Sequence, residues 1–277
     1  MTMTRRSIFF GLAAAAAVAT STGPALAQDQ EVAASSVIEA IKQRGTLQVG
    51  LSTFVPWSMH SKDGELIGFE IDVAKRLAED MGVEVEFVPT AWDGIIPALI
   101  AGKFDVIISG MTITPERNLT INFSIPYAHS GMRLIANKKH EGKLGKLADF
   151  NSPDVTFSLR RGSTPVAYAK QVFPEANLLL FDDDGASIQE VLNDNSDATL
   201  GYEPNPSTWL IDYPDQIYLP FEDLLNPGSE GFALRKGDPD ALNFFNNWIA
   251  LRWQDGFLQE RNDYWFRTRD WADQMPN

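Results

Sequence analysis

Apolar residues recur along this chain with two alternating periods. Val37 to Gln43 and Phe69 to Met81 carry them every third or fourth residue, the spacing of helices with one buried face, and Gly45 and Gly82 supply the stops. Leu47 to Leu51, Val83 to Val88 and the apolar run Phe104 to Ser109 read as strands, the last of the buried, parallel type. Asp93 is placed to cap a helix over Gly94 to Ala101, which Gly102 ends. Strand and helix alternate, so the pattern predicts an α/β fold with mainly parallel strands.

The same steps return in the second half. Thr164 to Phe173 reads as a helix, Leu178 to Phe181 as a strand, Ala186 to Leu192 as a helix and Asp197 to Gly201 as a strand. Each half holds a helix containing Ala-Lys (Ala74-Lys75, Ala169-Lys170), a strand, an acidic turn and a second helix. An aspartate, Asp105 or Asp197, then opens a last strand. The likeness is one of architecture more than of sequence. It predicts two similar lobes, although a coincidence of common α/β units gives the same order. Leu242 to Trp253 and Phe257 to Tyr264 read as closing helices. Their aromatic residues and those just beyond, such as Trp248, Trp265 and Trp271, are expected in the core.

The start of the chain breaks the pattern. Thr4, Arg5 and Arg6 give a basic beginning, Ile8 to Val18 an apolar stretch, and Ala25-Leu26-Ala27 a small-x-small cleavage site before Gln28. Residues 1–27 are expected to be a signal peptide, and the Arg-Arg pair leaves both the Sec and the twin-arginine routes open. No later segment is apolar for long enough to span a bilayer. The absence of cysteine excludes a lipid-anchoring cysteine, thiolate zinc sites and cysteine nucleophiles. These features predict an unanchored periplasmic protein.

With the leader go two arginines, leaving 21 basic residues against 37 acidic ones, a net charge of −16. Such a surface repels nucleic acid and anionic lipid, so any site for an anion has to be built locally. His60, His129 and His140 have no metal-ligand spacing, and the familiar nucleophile, zinc-protease and phosphate-loop motifs are missing. No catalytic residue, metal or cofactor is expected. Asp182-Asp183-Asp184 reads as a solvated turn.

Two turns carry candidate chemistry. In Ser109-Gly110-Met111-Thr112-Ile113-Thr114-Pro115-Glu116-Arg117, Thr114 is placed as a helix cap and Pro115 as the first helical residue. Arg117 in the first helical turn opposes the helix dipole unless an anion sits nearby. Gly110 permits close backbone approach, and Ser109 and Thr112 supply hydroxyls, the parts of a carboxylate seat. A solvated Arg117 fits the local sequence equally well. Arg160-Arg161-Gly162-Ser163-Thr164-Pro165 repeats the design: a strand, a glycine, hydroxyls, then Thr-Pro opening a helix. Two such turns predict a clamp holding one ligand between the lobes, with two ordinary capped helices as the plainer reading.

Several segments together resemble the periplasmic family 3 solute-binding proteins, which serve polar amino-acid ABC importers. They are Gly45 to Gly50, Gly68-Phe69-Glu70-Ile71-Asp72-Val73-Ala74, Trp92 to Leu99, Ser109 to Arg117 and Gly231 to Asp238. The resemblance spans about Ser36 to Phe266. It implies a two-lobed periplasmic-binding-protein fold of type II, two α/β lobes joined by two hinge strands. Lobe 1 would be residues 28–131 plus 229–277, and lobe 2 residues 132–228. It also implies that Phe54 and Trp92 pack on the ligand, that Gly110, Thr112 and Arg117 bind its carboxylate, and that Ser163 and Thr164 contact it from lobe 2. Where the family usually has an aspartate for the ligand's ammonium, this chain has Tyr202 followed by Glu203.

The expected function is therefore a monomeric periplasmic component of an ABC importer. It would capture an amino acid or related carboxylate-bearing metabolite and pass it to an inner-membrane permease. Two alternatives stand beside it: an exported enzyme resembling cyclohexadienyl dehydratase, with Glu203 as its acid, and a sensor lobe for a signalling receptor.

Overall fold

The computed structural model describes residues 36–276, so the expected leader at 1–27 lies outside the described residues. The chain opens with α1 (Val37–Arg44), closed by Gly45 in the left-handed conformation. β1 (Thr46–Leu51) follows, and then a hairpin, β2 (Met59–His60) and β3 (Leu66–Ile67). α2 (Phe69–Met81) ends at left-handed Gly82, as the sequence predicts, and leads into β4 (Glu84–Pro89).

Asp93 does not cap the next helix. Trp92–Gly94 forms a 3-10 turn and α3 (Ile95–Ile100) begins after it with no side-chain cap. The expected strand over Phe104 to Ser109 shrinks to β5 (Val106–Ile107), flanked by Asp105 and Ile108, whose N–H groups donate to the Gln48 and Gly50 carbonyls of β1. α4 (Pro115–Asn118) is a single turn, capped by the Thr114 hydroxyl accepting from the Arg117 N–H at 3.2 Å.

β6 (Asn122–Asn137) has 16 residues and is the longest strand. Beyond it come β7 (Thr156–Arg160), α5 (Thr164–Val172), β8 (Asn177–Phe181), α6 (Asp184–Leu192) and β9 (Ala198–Tyr202). α7 (Asn205–Asp212), β10 (Ile217–Tyr218) and β11 (Leu225–Leu234) lead to the closing helices α8 (Pro239–Gln254) and α9 (Phe257–Arg267).

One mixed sheet runs β4-β1-β5-β11-β6-β9-β7-β8, with β10 on β6. Its ends are two parallel trios, β4-β1-β5 and β8-β7-β9. Between them β6 and β11 run antiparallel to one another. The sheet is thus less parallel than the sequence predicts, because its two longest strands belong to neither trio.

The two trios repeat one device. The Asp105 N–H donates to the Gln48 carbonyl at 2.9 Å, while its carboxylate accepts from the Gln48 N–H at 2.8 Å. The Asp197 N–H donates to the Thr156 carbonyl at 2.8 Å, and its carboxylate accepts from the Thr156 N–H at 2.8 Å. Each aspartate thereby pins its strand to the first strand of its trio.

The buried core separates along the same line. One pair of clusters draws on residues from Val37 to Ala128 and from Phe232 to Trp271, including Phe69, Tyr127, Phe245, Trp248 and Trp265. The other pair draws only on residues between Met132 and Tyr218, including Phe150, Phe157 and Phe173. The aromatic closing segment is core, as expected: the Trp265 and Trp248 indoles donate to Asp72 and Asp80 at 2.7 and 2.8 Å.

Candidate functional site

The turns that follow β1, β5, β7 and β9 meet between the two halves and close a cavity. It is lined by Phe54, Trp57, Trp92, Gly110, Thr112, Ser130, Arg160, Ser163, Thr164, Asp184, Tyr202, Asn205 and Glu230, among others. Sites at the carboxyl ends of parallel strands are the rule for open α/β sheets. The cavity leaves about 40 Å³ for the centres of water-sized molecules. That is room for a few waters, so a metabolite enters only if the halves part or a lining side chain moves.

Two hydrogen bonds to one carbonyl span the halves here. The Gly162 carbonyl accepts from the Trp92 indole N–H and from the Arg117 guanidinium, both at 3.3 Å. Gly162 is left-handed, with φ of 71°, which turns its carbonyl out of the β7–α5 connection without cost.

Arg117 lies at the rim of the cavity rather than in its lining. One amino group donates to the Thr112 carbonyl at 2.9 Å, and the guanidinium carbon stands 5.6 Å from the Trp92 ring centre. Burial pushes its pKa down to about 10, with nearby Arg160 adding to the effect while Tyr202 opposes it. Among the described residues no carboxylate lies within ion-pair distance of it. The helix it belongs to is one turn long, so the dipole contributes little, and the guanidinium itself makes the seat attractive to an anion.

Gly110 is left-handed, and a Cβ there would come 2.6 Å from the Phe54 ring. Its N–H turns inward to the Glu70 carboxylate and to the Tyr127 hydroxyl, 3.0 Å away. The glycine therefore supplies close packing, and its N–H is already engaged. Ser109 is buried away from the cavity, accepting from the Ser52 N–H at 2.8 Å. Ser163 and Thr164 open α5 and line the cavity, with the Ser163 hydroxyl buried and unpaired.

Tyr202 also lines the cavity, its hydroxyl accepting from the Asn226 amide at 2.9 Å. Burial raises its pKa, against hydrogen bonds from Thr164, Asn226 and Thr112. Glu203 does not reach the cavity. Its carboxylate pairs with Arg133 and accepts from the Ser207 hydroxyl at 2.8 Å, tying down the start of α7. The backbone alternates sides from Tyr202 to Glu203, so only one of the two side chains can face the cleft.

The model of the bacterial extracellular solute-binding proteins, family 3, matches residues 47–268. The chain belongs to this family. The L-cystine-binding protein TcyJ of Escherichia coli K12 is 32% identical over 231 residues, 83% of this chain and 86% of that protein. Cyclohexadienyl dehydratase of Pseudomonas aeruginosa is 27% identical over 246 residues, 86% of this chain and 88% of that enzyme. The crystal structure of the ancestral amino acid-binding protein AncCDT-1, a precursor of cyclohexadienyl dehydratase, superposes with a TM-score of 0.77. It is 39% identical and covers 84% of this chain and all of that one.

In this solute-binding protein the cavity also holds Arg160, from the second turn marked in the sequence, and Asp184, from the acidic run, together with Glu230, which no sequence pattern singles out. Arg160, at the end of β7, is 7% exposed and fills the space between two rings. Its guanidinium carbon is 4.2 Å from the Trp92 centre and 5.1 Å from that of Phe54. Asp184, the first residue of α6, lies 3.3 Å from it. Its Nε and Nη1 nevertheless make no hydrogen bond, since the approach of Asp184 lacks hydrogen-bond geometry. Asp183 accepts from the Ala186 N–H at 2.7 Å as the α6 cap, so the acidic turn is only partly solvated. Glu230, on β11, is 1% exposed. Trp57 and Asn205 line the same space, and the Trp57 indole N–H and Asn205 amide oxygen are buried without a partner. Unpaired buried donors and acceptors are rare in folded proteins, and their gathering around one cavity marks a binding site.

Proposed function

We propose that this protein is the amino-acid-capturing component of an ABC importer, exported to the periplasm and closing two lobes on its ligand. One observation carries the reading. Arg117 is a desolvated cation without a carboxylate partner, placed at the rim of a cavity rich in unpaired donors and acceptors. A ligand carboxylate there forms a charge-assisted, two-pronged contact. Phe54 and Trp92 supply apolar faces, and Thr112, Ser163 and Thr164 supply hydroxyls from the two sides. The lobes are residues 28–131 with 229–277 and residues 132–228, a division that the two separate sets of core clusters support. Open and closed forms interconvert, and a ligand touching both lobes favours the closed one. The protein works as a monomer and delivers its cargo to a permease in the inner membrane.

The test is calorimetry with the proteinogenic L-amino acids and L-cystine, on the wild type and on Arg117→Ala. At least one is expected to bind, and the substitution is expected to cost about 2–5 kcal/mol of affinity. Equal affinity in the variant would remove the carboxylate seat.

The likeness to cyclohexadienyl dehydratase keeps an enzymatic reading in view. The acid that reading needs was expected at Glu203, and Glu203 is tied to Arg133 and Ser207 outside the cavity. The acids in the cavity lining are Asp184, which stands against Arg160, and Glu230, which accepts from the Ser130 hydroxyl, and the protein is expected to convert neither prephenate nor arogenate. Turnover of either would overturn the transport reading.

A further inference from the structure

This inference rests on the amino-acid reading above and concerns the ligand's other charged end. The usual aspartate is replaced by Tyr202, whose hydroxyl is already bonded to Asn226. Glu203 points away from the cavity, and Asp184 stands against Arg160. We propose that Glu230, reaching in from the β11 crossing strand, is the residue that holds the ligand's α-ammonium group in this protein.

The geometry is specific. Glu230 lines the cavity and is 1% exposed. Its Oε1 accepts from the Ser130 hydroxyl at 2.6 Å, and its Oε2 is buried with no partner. Pairing between β11 and β6 is irregular between Glu230 and Gly231. An irregularity of this kind re-aims a side chain out of the normal alternation. Glu230 is also bridged to Thr112, so its backbone is fixed against the turn that leads to Arg117. Gly228 leaves the room that the carboxylate uses, since a Cβ at that position would stand 3.0 Å from Oε1. A carboxylate fixed beside a hydroxyl-bearing turn, with a guanidinium at the far rim, has the layout of a zwitterion site.

A buried acid without a cation is under electrostatic strain, and burial raises the Glu230 pKa to about 7. The titratable groups around it are Glu70 from α2, Tyr127 from β6 and Tyr202 from β9, while the Arg160 and Asp184 pair lies elsewhere in the cavity lining. Of these Glu70 is itself raised to about 8 by burial, and it sits behind Gly110 outside the cavity lining. An arriving ammonium favours the ionised form of Glu230. Binding therefore releases a proton at and below about pH 7, and affinity falls toward tenfold for each pH unit below that point.

The experiment compares wild type with Glu230→Gln, using the best binder of the amino-acid panel and its 2-hydroxy analogue, which lacks the ammonium. Calorimetry is run from pH 5.5 to 8.5, in buffers of different ionisation enthalpy. The expected result is a loss of about thirtyfold or more for the amino acid. The 2-hydroxy analogue loses little, and proton release disappears in the variant while its melting temperature stays high. An unchanged affinity for the amino acid overturns the role of Glu230, as does an equal loss for both ligands or proton release that persists in the variant. A wild type that binds no amino acid instead overturns the reading on which this one rests.

Discussion

Arg160 and Glu230 are opposite cases of a buried charge. Arg160 fills the gap between Trp92 and Phe54 with a guanidinium that those rings and Asp184 stabilise. A second cation cannot share that gap without like-charge repulsion, so the site disfavours ligands with a cationic side chain. Arg160→Ala empties the gap, and titration is expected to show lysine and arginine gaining about tenfold or more in affinity over wild type. No gain would mean that the cationic end of a ligand lies elsewhere. Arg160 belongs to a turn that the sequence marks, but its burial, like that of Glu230, is not legible from pattern. Each is a charged residue next to a strand's apolar run, and neither a periodicity nor a motif says that such a side chain turns inward. Arg117 was more legible, because an arginine in the first turn of a helix conflicts with a local rule. Such conflicts are where function is expected to show.

At the scale of elements, the helices were read best. α2 and α1 end at the glycines that the sequence marks, and Thr114 caps its turn. The crossing strand β6 was missed because its sequence breaks strand rules. Pro126 removes a ladder donor and Gly131 removes a side chain, so no clean alternation runs from Asn122 to Asn137. Long-range pairing with β11 supplies what local propensity does not. The aspartates that open the last strand of each trio were legible as a repeat, and the structure gives them a task. Asp105→Ala and Asp197→Ala each leave a strand N–H unpaired, and denaturant unfolding is expected to register a loss of about 1–3 kcal/mol for either. A neutral result for both would mean that the repeated bond is ornamental.

At the scale of the whole molecule, the closed cleft is held by few contacts of its own. The Gly162 carbonyl with Trp92 and Arg117, the stacking of Arg160, and a half-exposed Arg269–Asp212 ion pair at 2.6 Å span the halves. Such a weak clasp suits a protein that opens when the cleft is unfilled, and a bridging ligand tips the balance. Small-angle scattering is expected to show a smaller radius of gyration once a binding amino acid is added. An unchanged radius would mean that closure precedes binding and that the ligand enters by another route.

The divided core has a further consequence, for the order in which the molecule assembles. Every residue of the second pair of clusters is available once the chain has emerged as far as Tyr218. The first pair waits for Phe232 to Trp271, because strands and helices from both ends of the sequence share that interior. In vectorial synthesis, where domains fold as units, the intervening half is complete first. The half that carries Phe54, Trp92 and Arg117 closes around it last, so the binding cleft comes into being only with the closing helices.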